Sequence, residues 1–418
     1  MTGTDPFLPR YARGTRAMTA SEIRALFAVA ARPEVVSLAG GAPYTAALPF
    51  DDIRELVDAV LSTEGSTALQ YAAGQGDPRL REVVVGLMRE EGIAASPDDV
   101  VLTVGSQQAL DLLARMFCDP GDVIVAEGPS YVGALSAFSQ YQVQVVHVPL
   151  DDAGLDPDAL EVTLARLDRE DRRVKFLYTV PNFHNPGGVT LAEERRDRVL
   201  ELARRHNVLV LEDNPYGLLA FEGEVPRALR ARDSANVVYL GTLSKVFCPG
   251  LRIGWALVPP SLRSRLILVK EAADLCSSSF AHAVAYRYFV ESPWRETLKA
   301  MRELYRERRD AMLDSLQESF PPGSRWTHPG GGFYVWVTLP EQLDARAMLP
   351  KAIGARVAYV PGNAFYADDQ GASSLRLCYS FPSPDRIREG IHRLAPVVGE
   401  ELDLLRALGG LAEPRPGS

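Results

Sequence analysis

The 418-residue chain has few residues that could form disulfides or metal sites. Its four cysteines, Cys118, Cys248, Cys276 and Cys378, are far apart and form no Cys-x-x-Cys pair, so neither a disulfide framework nor a zinc site is predicted. Its six histidines are equally scattered, and none pairs with another residue at metal-ligand spacing on a helix. These absences predict a protein without a metal, in a reducing compartment such as the cytoplasm.

Long apolar runs and an excess of basic residues are also missing. No stretch approaches the roughly 20 apolar residues of a membrane span, and the N-terminal segment lacks the apolar core of an export signal. Lysine plus arginine number 45 against 54 aspartate plus glutamate, a balance of −9 that argues against nucleic acid as a partner. With 24% charged and 46% hydrophobic residues, the composition is that of an ordinary folded protein, and we expect no membrane partner.

Short β-branched runs alternate with longer amphipathic segments between residues 50 and 260. This alternation predicts a three-layer α/β fold with a mostly parallel sheet. Beyond Pro260 the pattern changes to long helices, a glycine-rich segment and a closing strand–helix pair, which predicts a smaller α+β domain. We therefore predict an N-terminal arm and helix over residues 1–49 that join the small domain, a large domain over 50–290 and a small domain over 291–418.

The individual elements follow from hydrophobic periodicity. The predicted strands of the large domain are Val100–Val104, Val123–Glu127, Gln144–Val148, Val174–Thr179, Val208–Glu212, Val237–Gly241 and Ile253–Val258. The predicted helices are a short one at a capping box of Thr19 and Glu22, then Gln107–Phe117, Tyr131–Gln140, Pro157–Arg166, Leu191–His206, Leu262–Ala273, Trp294–Phe320 and Pro384–Leu394. A closing strand is predicted at Leu375–Cys378.

Polar residues follow several predicted strands, and ligands collect at the carboxyl ends of strands in open α/β sheets. Gly105 permits a tight turn, after which the amides of Ser106 and Gln107 begin a helix whose N-terminus suits an anion; an ordinary serine N-cap is the alternative. Asn185 lies in a turn-forming cluster, VPNFHNPGG, from which its amide can point into the crevice. Asp213 either caps a turn or holds a protonated ring nitrogen, the pairing that pyridoxal phosphate needs.

The segment TLSKVFCPGLRIGW places one lysine, Lys245, in a compact turn after an apolar strand. An amine that forms an imine with an aldehyde cofactor must sit on a rigid element beside groups that hold a phosphate. Thr242, Ser244 and Arg252 are candidates for those groups. Taken alone, such a lysine is more often a solvated charge.

Eight motifs occur in order between SEIRALFAVAARPEVVSLAGG and SLRLCYSFP: SLAGG, LQYAAGQGDPRLRE, TVGSQQALDLL, EGPSYVGAL, PNFHNPGG, LEDNPYG, GTLSKVFCPGLRIGW and GGFYVWVTLP. Through these motifs nearly the whole chain resembles the fold-type I pyridoxal-phosphate enzymes of the class I/II aminotransferases. Within that family it resembles most the group of 2-aminoadipate and broad-specificity aminotransferases. The resemblance implies pyridoxal 5'-phosphate as the cofactor.

The resemblance also implies roles for the cofactor-binding residues. Lys245 corresponds to the Schiff-base lysine, which moves the proton between cofactor and amino-acid Cα and needs a lowered amine pKa. Asp213 corresponds to the partner of the pyridine nitrogen, and Asn185 and Tyr216 to the donors to the phenolic oxygen. The other implied cofactor contacts are Tyr131, stacked on the ring, the phosphate ligands Ser106, Gln107, Ser244 and Arg252, with Thr242 beside them, and Tyr71, which reaches the phosphate of the neighbouring subunit in a homodimer with shared active sites.

For the substrate, the resemblance implies that Arg376 grips the α-carboxylate, because its planar guanidinium pairs with both oxygens at once. Gly40 corresponds to the loop over that carboxylate, and Arg24 lies where some relatives recruit an arginine for an acidic side chain. Four residues depart from the usual pattern near the expected side-chain pocket: Tyr44, His184, Gly187 and Cys276. They put the identity of the substrate in doubt, so a specialised amino acid is as plausible as a common one.

The expected function is a ping-pong transfer of an amino group between an L-amino acid and a 2-oxo acid. A different pyridoxal-phosphate reaction, namely β-elimination, decarboxylation or oxidation, would use the same residues and stays open. A transcriptional regulator is less expected, because only some 20 residues precede the first family helix and a DNA-binding module needs more. A purely structural role would leave the polar residues at the strand ends unexplained.

Overall fold

The computed structural model describes residues 5–17, 32–340, 342–368 and 370–408; the helix predicted at Thr19 and Glu22, and with it Arg24, lies outside these residues. The strands of the described part are β1 (Val36–Ser37), β2 (Val100–Thr103), β3 (Val123–Gly128), β4 (Gln144–Asp151), β5 (Gly154–Leu155), β6 (Val174–Thr179), β7 (Leu209–Asp213), β8 (Val237–Thr242), β9 (Gly254–Leu257), β10 (Arg325–Trp326), β11 (Tyr334–Thr338), β12 (Val357–Ala358), β13 (Val360–Pro361) and β14 (Ser374–Cys378).

In the described residues, single α-helices connect many of the strands as far as β9, and three helices then follow one another before β10. The α-helices are α1 (Arg13–Ala17), α2 (Phe50–Ala68), α3 (Pro78–Arg89), α4 (Gly105–Phe117), α5 (Val132–Ser139), α6 (Pro157–Arg169), α7 (Glu193–Arg205), α8 (Pro260–Asp274), α9 (Ser279–Glu291), α10 (Trp294–Ser319), α11 (Ala345–Gly354) and α12 (Pro384–Ala407). Short 3-10 turns at Leu243–Lys245 and Pro249–Leu251 connect β8 to β9.

The large sheet has the strand order β2-β9-β8-β7-β6-β3-β4-β5. Its central strands, β8, β7, β6, β3 and β4, pair in parallel, whereas β9 runs antiparallel to both β2 and β8, and β5 antiparallel to β4. The prediction of a mostly parallel sheet is therefore confirmed. Parallel neighbours bring the carboxyl ends of β6, β7 and β8 to one edge, which is where the predicted polar residues lie.

Helices cover both faces of this sheet, because successive side chains of its strands point to opposite sides. On β3, Ile124 belongs to an apolar cluster shared with α4, α5 and α8, while Val125 belongs to a second cluster shared with α6 and α7. Phe176 and Leu177 of β6 divide between the same two clusters. Strands buried on both faces explain the near-continuous apolar runs in the sequence.

The C-terminal region is built on a small antiparallel sheet of order β10-β11-β14-β13. Helices α10 and α12 pack against each other, and their apolar residues join one large cluster with β11 and β14. In the N-terminal segment, β1 pairs in parallel with β12. Residues 36–37 are thereby tied to the C-terminal region rather than to the large sheet.

Most predicted elements are present with shifted ends, and two differ more. Helix α4 begins at Gly105, its N-cap is Val104, and no side chain caps it, so the serine N-cap considered for Ser106 is wrong. The last helix does not end at Leu394 but continues to Ala407, because buried residues such as Leu402 prolong its apolar stripe.

Two kinds of feature are absent from the described residues. No helix in that part of the chain has the length and apolar character that a membrane crossing requires. No three histidine, cysteine, aspartate or glutamate side chains of those ranges cluster in a way that could hold a metal ion.

Candidate active site

A cavity of about 430 Å³ opens at the carboxyl edge of the large sheet, facing the small sheet. It collects nearly all residues singled out in the sequence: Gly40, Ser106, Gln107, Tyr131, Asn185, Asp213, Tyr216, Thr242, Ser244, Lys245, Arg252 and Arg376. A larger open groove of about 1160 Å³, bordered by Trp326 and Tyr366, contains none of these residues. Residues from five different strand ends and from the small sheet therefore converge on one site.

Asp213, at the end of β7, is 2% exposed. Its Oδ2 accepts a hydrogen bond from the Tyr178 hydroxyl at 3.0 Å, whereas its Oδ1 is buried without any partner. Burial raises the pKa of the Asp213 carboxyl to about 7, partly offset by the bond from Tyr178 and by the charge of Lys245. An unpartnered buried carboxyl oxygen is costly, and a protonated ring nitrogen would satisfy it.

Lys245 ends the 3-10 turn that follows β8. Its Nζ donates a hydrogen bond to the Gly41 carbonyl oxygen at 3.2 Å and lies 5.8 and 5.7 Å from the ring centres of Tyr216 and Phe333. Burial lowers the pKa of the amine to about 8, and the positive charges of Arg376 and Arg252 act in the same direction. A larger share of neutral amine makes this lysine a better nucleophile for an aldehyde.

An anion cradle lies beside the lysine, where the uncapped N-terminus of α4 meets the β8–β9 connection. Arg252 adopts a left-handed conformation with φ 56°, and its Nη1 lies 3.4 Å from Ser244 Oγ. Thr242 Oγ1 donates to Ser244 Oγ at 2.9 Å. Free N–H groups at a helix start, a hydroxyl and a guanidinium together suit a phosphate.

Gly105 allows the start of α4 to lie close to the Arg252 side chain. Its φ of +70° is one that side chains rarely adopt, and a Cβ at this position would lie 2.4 Å from Arg252 Nη2. Ser106 and Gln107 follow in the first turn of the helix. The side chain of Gln107 also donates to the Gly133 carbonyl oxygen at 2.7 Å and accepts from the Tyr131 hydroxyl at 3.4 Å, which holds Tyr131 at the cavity wall.

Arg376, on β14, is 4% exposed at the opposite wall. Its Nη1 donates to Asn185 Oδ1 at 3.0 Å, and its Nη2 donates to the carbonyl oxygens of Ala39 and Gly40 at 2.8 and 2.9 Å. Because the Asn185 oxygen is engaged by Arg376, the amide N–H₂ of Asn185 is left to donate into the cavity. The guanidinium and the amide, beside the loop at Gly40, together suit a carboxylate.

Some predicted residues lie elsewhere. Tyr71 is 77% exposed and does not border the cavity. His184 is buried with its Nε2 3.1 Å from Glu127 Oε2, Tyr44 packs against the Arg308 guanidinium, and the half-buried Cys276 lies away from the cavity. Gly187 borders the larger groove instead, so none of the four departures from the family pattern lines the cavity.

Sequence reasoning missed two residues that the fold brings to the site. Tyr178 holds Asp213, and Tyr334 on β11 borders the cavity with its hydroxyl 3.3 Å from that of Tyr216. Tyr334 belongs to the motif GGFYVWVTLP, which could have marked it, whereas Tyr178 is an ordinary strand residue by composition. Together with the unpartnered Asp213 oxygen, the depressed amine pKa and the anion cradle, these residues fit pyridoxal phosphate.

Comparisons with known proteins agree with this geometry. The model of the family described as aminotransferase class I and II matches residues 33–394. The aromatic-amino-acid aminotransferase 1 of Thermococcus litoralis is 44% identical over 92% of this chain and 93% of its own length. The structure of Pyrococcus horikoshii kynurenine aminotransferase, in complex with PMP, superimposes with a TM-score of 0.90 and 41% identity, over 94% of this chain and 97% of that one.

A second solved structure carries a derivative of the cofactor itself. It is the alpha-aminoadipate aminotransferase of Thermus thermophilus, complexed with N-(5'-phosphopyridoxyl)-L-leucine, with a TM-score of 0.87 and 34% identity over 95% of this chain and 99% of that one. The chain therefore belongs to the aminotransferase class I and II family and is a pyridoxal-phosphate-dependent aminotransferase.

Proposed function

We propose that Lys245 holds the cofactor covalently and that the enzyme exchanges an amino group between an L-amino acid and a 2-oxo acid in two half-reactions at this site. The single observation that carries the proposal is the meeting of a low-pKa amine, Lys245, with an unpartnered buried carboxyl oxygen of Asp213 in one cavity. The family comparisons favour transamination over elimination, decarboxylation or oxidation.

When bound, pyridoxal phosphate supplies an electron sink for the substrate's Cα, provided that its ring nitrogen is protonated. Asp213 keeps that proton in place through its free Oδ1, while Tyr178 fixes the other oxygen. Tyr216 and Asn185 would hold the cofactor through its phenolic oxygen, and Tyr131 would hold its ring. These roles are supported by the position of all five side chains around or directly behind the cavity.

Lys245 has a second role as the proton carrier. With a substrate in the site, the Nζ of Lys245 would be the group that takes the proton from the substrate's Cα and returns it, while the bound cofactor would supply the electron sink. The lowered amine pKa supports this role, because a general base works best when its pKa lies near the working pH. The Gly41 carbonyl oxygen, which now accepts from Nζ, provides a resting partner for the displaced amine.

Arg376 orients the substrate by pairing with its α-carboxylate, with Asn185 and the Gly40 loop beside it. The guanidinium is held between the rings of Tyr334 and Phe365, whose centres lie 4.4 and 4.9 Å from it. This stacking fixes the plane of the fork before the substrate arrives, so less conformational entropy is lost on binding.

For the side chain of the donor, we propose a large apolar or aromatic group, with alpha-aminoadipate as a further candidate. Pro43, Val132 and Tyr334 border the cavity beyond the cofactor residues, which supports an apolar neighbour. The named relatives act on aromatic amino acids, kynurenine and alpha-aminoadipate. We propose Arg24 as the partner of an acidic side chain of the substrate.

We also propose a homodimer with shared active sites, in which Tyr71 reaches the phosphate bound by the partner. The support is the exposure of three large apolar residues just after the ends of α2 and α8: Leu69 and Tyr71 are 70% and 77% exposed, and Leu275 is 58% exposed. Burial of such side chains against a second copy would remove apolar surface from water.

The predicted domains and location belong to the same proposal. Pairing of β1 with β12 supports assigning residues 1–49 to the small domain of residues 291–418, and the eight-stranded sheet supports a large domain over 50–290. The four cysteines, Cys118, Cys248, Cys276 and Cys378, are all free, which supports a cytoplasmic location.

The attachment is tested by treating the loaded enzyme with borohydride and locating the reduced cofactor by mass spectrometry. We expect the label on the peptide that contains Lys245, and we expect Lys245→Ala to lose the label and transamination of a panel of amino acids with 2-oxoglutarate, while its circular dichroism spectrum is unchanged. Lys270→Ala is the control, because Lys270 is buried in α8 and pairs with Asp274. Label on another lysine, or turnover by Lys245→Ala, would contradict the proposal.

A further inference from the structure

Tyr334 occupies a junction between the groups that hold the cofactor and the groups that hold the substrate. It begins β11, and its neighbour strand β14 carries Arg376, which stands opposite Trp336 in the register. Residues two positions apart on a strand share a face, so Tyr334 and Arg376 lie diagonally on the same side of the small sheet. The small sheet thus presents both side chains to the cavity.

The hydroxyl of Tyr334 contacts the hydroxyl of Tyr216, one of the residues proposed to hold the cofactor. It lies 3.3 Å from the hydroxyl of Tyr216, and both tyrosines are 2% exposed. This separation exceeds the ~2.8 Å typical of O–H···O bonds, as is common for catalytic hydrogen bonds before ligands bind. Burial raises the pKa of Tyr334 to about 12 and that of Tyr216 well above its usual value, so both hydroxyls keep their protons.

The surrounding backbone is shaped to admit this hydroxyl. A Cβ on Gly41 would lie 2.5 Å from Tyr334 Oη, so only glycine lets the N-terminal loop pack over it. The carbonyl oxygen of the same Gly41 accepts from Lys245 Nζ. One short loop therefore contacts both the Tyr334 hydroxyl and the reactive amine.

We propose that Tyr334 is a positioning residue that donates its hydroxyl proton to Tyr216 and thereby strengthens the hydrogen bond from Tyr216 to the cofactor's phenolic oxygen. This inference rests on the cofactor-binding role proposed above for Tyr216. Without a cofactor the Tyr216 hydroxyl donates to that of Tyr334. A hydroxyl has one proton, so once Tyr216 donates to the cofactor, its bond with Tyr334 persists only with Tyr334 as the donor. Hydrogen bonds in such a chain polarise one another and each becomes stronger.

A second consequence concerns the substrate. The Tyr334 ring lies under the Arg376 guanidinium, 4.4 Å from its centre, so the same side chain fixes the carboxylate fork by cation–π contact. The hydroxyl and the ring thus have separable effects. Loss of the hydroxyl acts on the cofactor's oxygen, whereas loss of the ring acts on the grip of Arg376.

The test compares Tyr334→Phe with Tyr379→Phe in the cofactor-loaded enzyme. Tyr379 is a matched control: it is fully buried near the same sheet, its hydroxyl donates to the Gly331 carbonyl oxygen at 3.0 Å, and it does not border the cavity. The main readout is the pH midpoint of the absorbance change of the bound cofactor. A weaker donor to the phenolic oxygen disfavours its deprotonated form, so we expect Tyr334→Phe to raise the midpoint by about half a pH unit and Tyr379→Phe to leave it unchanged.

Steady-state kinetics separate the two effects of the side chain. For Tyr334→Phe we expect kcat to fall severalfold with little change in KM for the amino donor. For Tyr334→Leu, which also removes the ring, we expect KM to rise about fivefold in addition, because the contact under Arg376 is lost. A KM increase of equal size in both variants would overturn the separation of roles.

Tyr216→Phe distinguishes failure of this inference from failure of the site assignment. If Tyr216→Phe raises the midpoint and Tyr334→Phe behaves like Tyr379→Phe, Tyr334 does not act through Tyr216, and the proposed site stands. If neither Tyr216→Phe nor Tyr334→Phe moves the midpoint, Tyr216 does not contact the cofactor's oxygen, and the inference fails with that assignment.

Discussion

Burial shifts the pKa values of the two central titratable groups of the site in opposite directions. Both shifts favour the neutral form of the group. Burial lowers the pKa of the Lys245 amine to about 8 and raises that of the Asp213 carboxyl to about 7. In each case the charged form loses hydration that one hydrogen bond, from Tyr178 to Asp213 or from Lys245 to Gly41, replaces only in part. A bound ring with a protonated nitrogen would restore a partner to Asp213, which explains why a carboxyl group can be retained at the buried end of β7.

The state of Lys245 leads to a pH prediction. In cofactor-free enzyme, its acetylation by trace acetic anhydride should rise about tenfold per pH unit up to a midpoint near 8, because only the neutral amine reacts. Exposed lysines of the same chain serve as internal references for the reagent. Mass spectrometry of the peptides measures both, and a Lys245 midpoint equal to that of the exposed lysines would refute the burial argument.

The same shift has a consequence for stability. Because the amine pKa is lower in the folded protein than its ordinary value of 10.5, the unfolded chain binds a proton between about pH 8 and 10.5 that the folded chain does not. The contribution of Lys245 to the free energy of unfolding therefore rises with pH across this window.

At the scale of elements, the anion cradle depends on how α4 begins. The helix has no side-chain cap; instead, the Gln108 side chain accepts from the Val104 N–H at 2.8 Å and leaves the following amides free. Gly105 supplies the left-handed turn, and Arg252, also left-handed, folds back toward it. Two unusual backbone conformations thus meet where the phosphate is proposed to bind.

Gly105→Ala tests this arrangement. The added Cβ combines an unfavourable φ with a 2.4 Å approach to Arg252 Nη2, so the guanidinium must move out of the cradle. We expect the affinity for pyridoxal phosphate, measured by absorbance titration of the cofactor-free protein, to fall about tenfold or more, in line with a cost of roughly 1 to 3 kcal/mol for such strain. Gly86→Ala is the control, since its Cβ would meet nothing within 4 Å, and we expect unchanged affinity there. Equal affinities in the two variants would show that the cradle lies elsewhere.

At the scale of the whole molecule, the proposed dimer requires Tyr71 to lie at the surface, which its 77% exposure supports. Tyr71 follows the end of α2, and the backbone next to it is anchored, because Ser279 Oγ donates to the Gln70 carbonyl oxygen at 2.6 Å. The proposed contact with a second copy of the chain would therefore use a side chain whose backbone is held in place.

Mixed dimers test the sharing of sites. When Lys245→Ala and Tyr71→Ala chains are co-expressed, one site of each mixed dimer combines the intact Lys245 of one chain with the intact Tyr71 of the other. Random pairing should recover about a quarter of wild-type activity, since half the dimers are mixed and each has one native site. Co-expression of Lys245→Ala with Arg376→Ala is the control. Lys245 and Arg376 border the cavity of the same subunit, so neither site of a mixed dimer contains both native residues. Recovery equal to that of the control would rule out sharing through Tyr71.

Much of this site could be predicted from local sequence. Asn185, Asp213 and Lys245 follow apolar strands, and parallel strands bring their carboxyl ends to one edge whatever their exact order. Element ends were less predictable. Helix α4 starts at Gly105 rather than at Gln107, because the backbone conformation of a glycine depends on what packs around it, here Arg252.

The sequence by itself determined the alternation of strands and helices and the burial of the central strands, since these depend on periodicity and on residues near one another in the chain. Through the motif around it, the sequence also marked Lys245 as the candidate Schiff-base lysine. Only the tertiary structure decided which distant groups complete the site. The bond between Tyr216 and Tyr334 spans 118 residues, and that between Arg376 and Asn185 spans 191. Such pairs form because the small sheet packs against the carboxyl edge of the large sheet. No local sequence pattern specifies which hydroxyl or amide each side chain contacts.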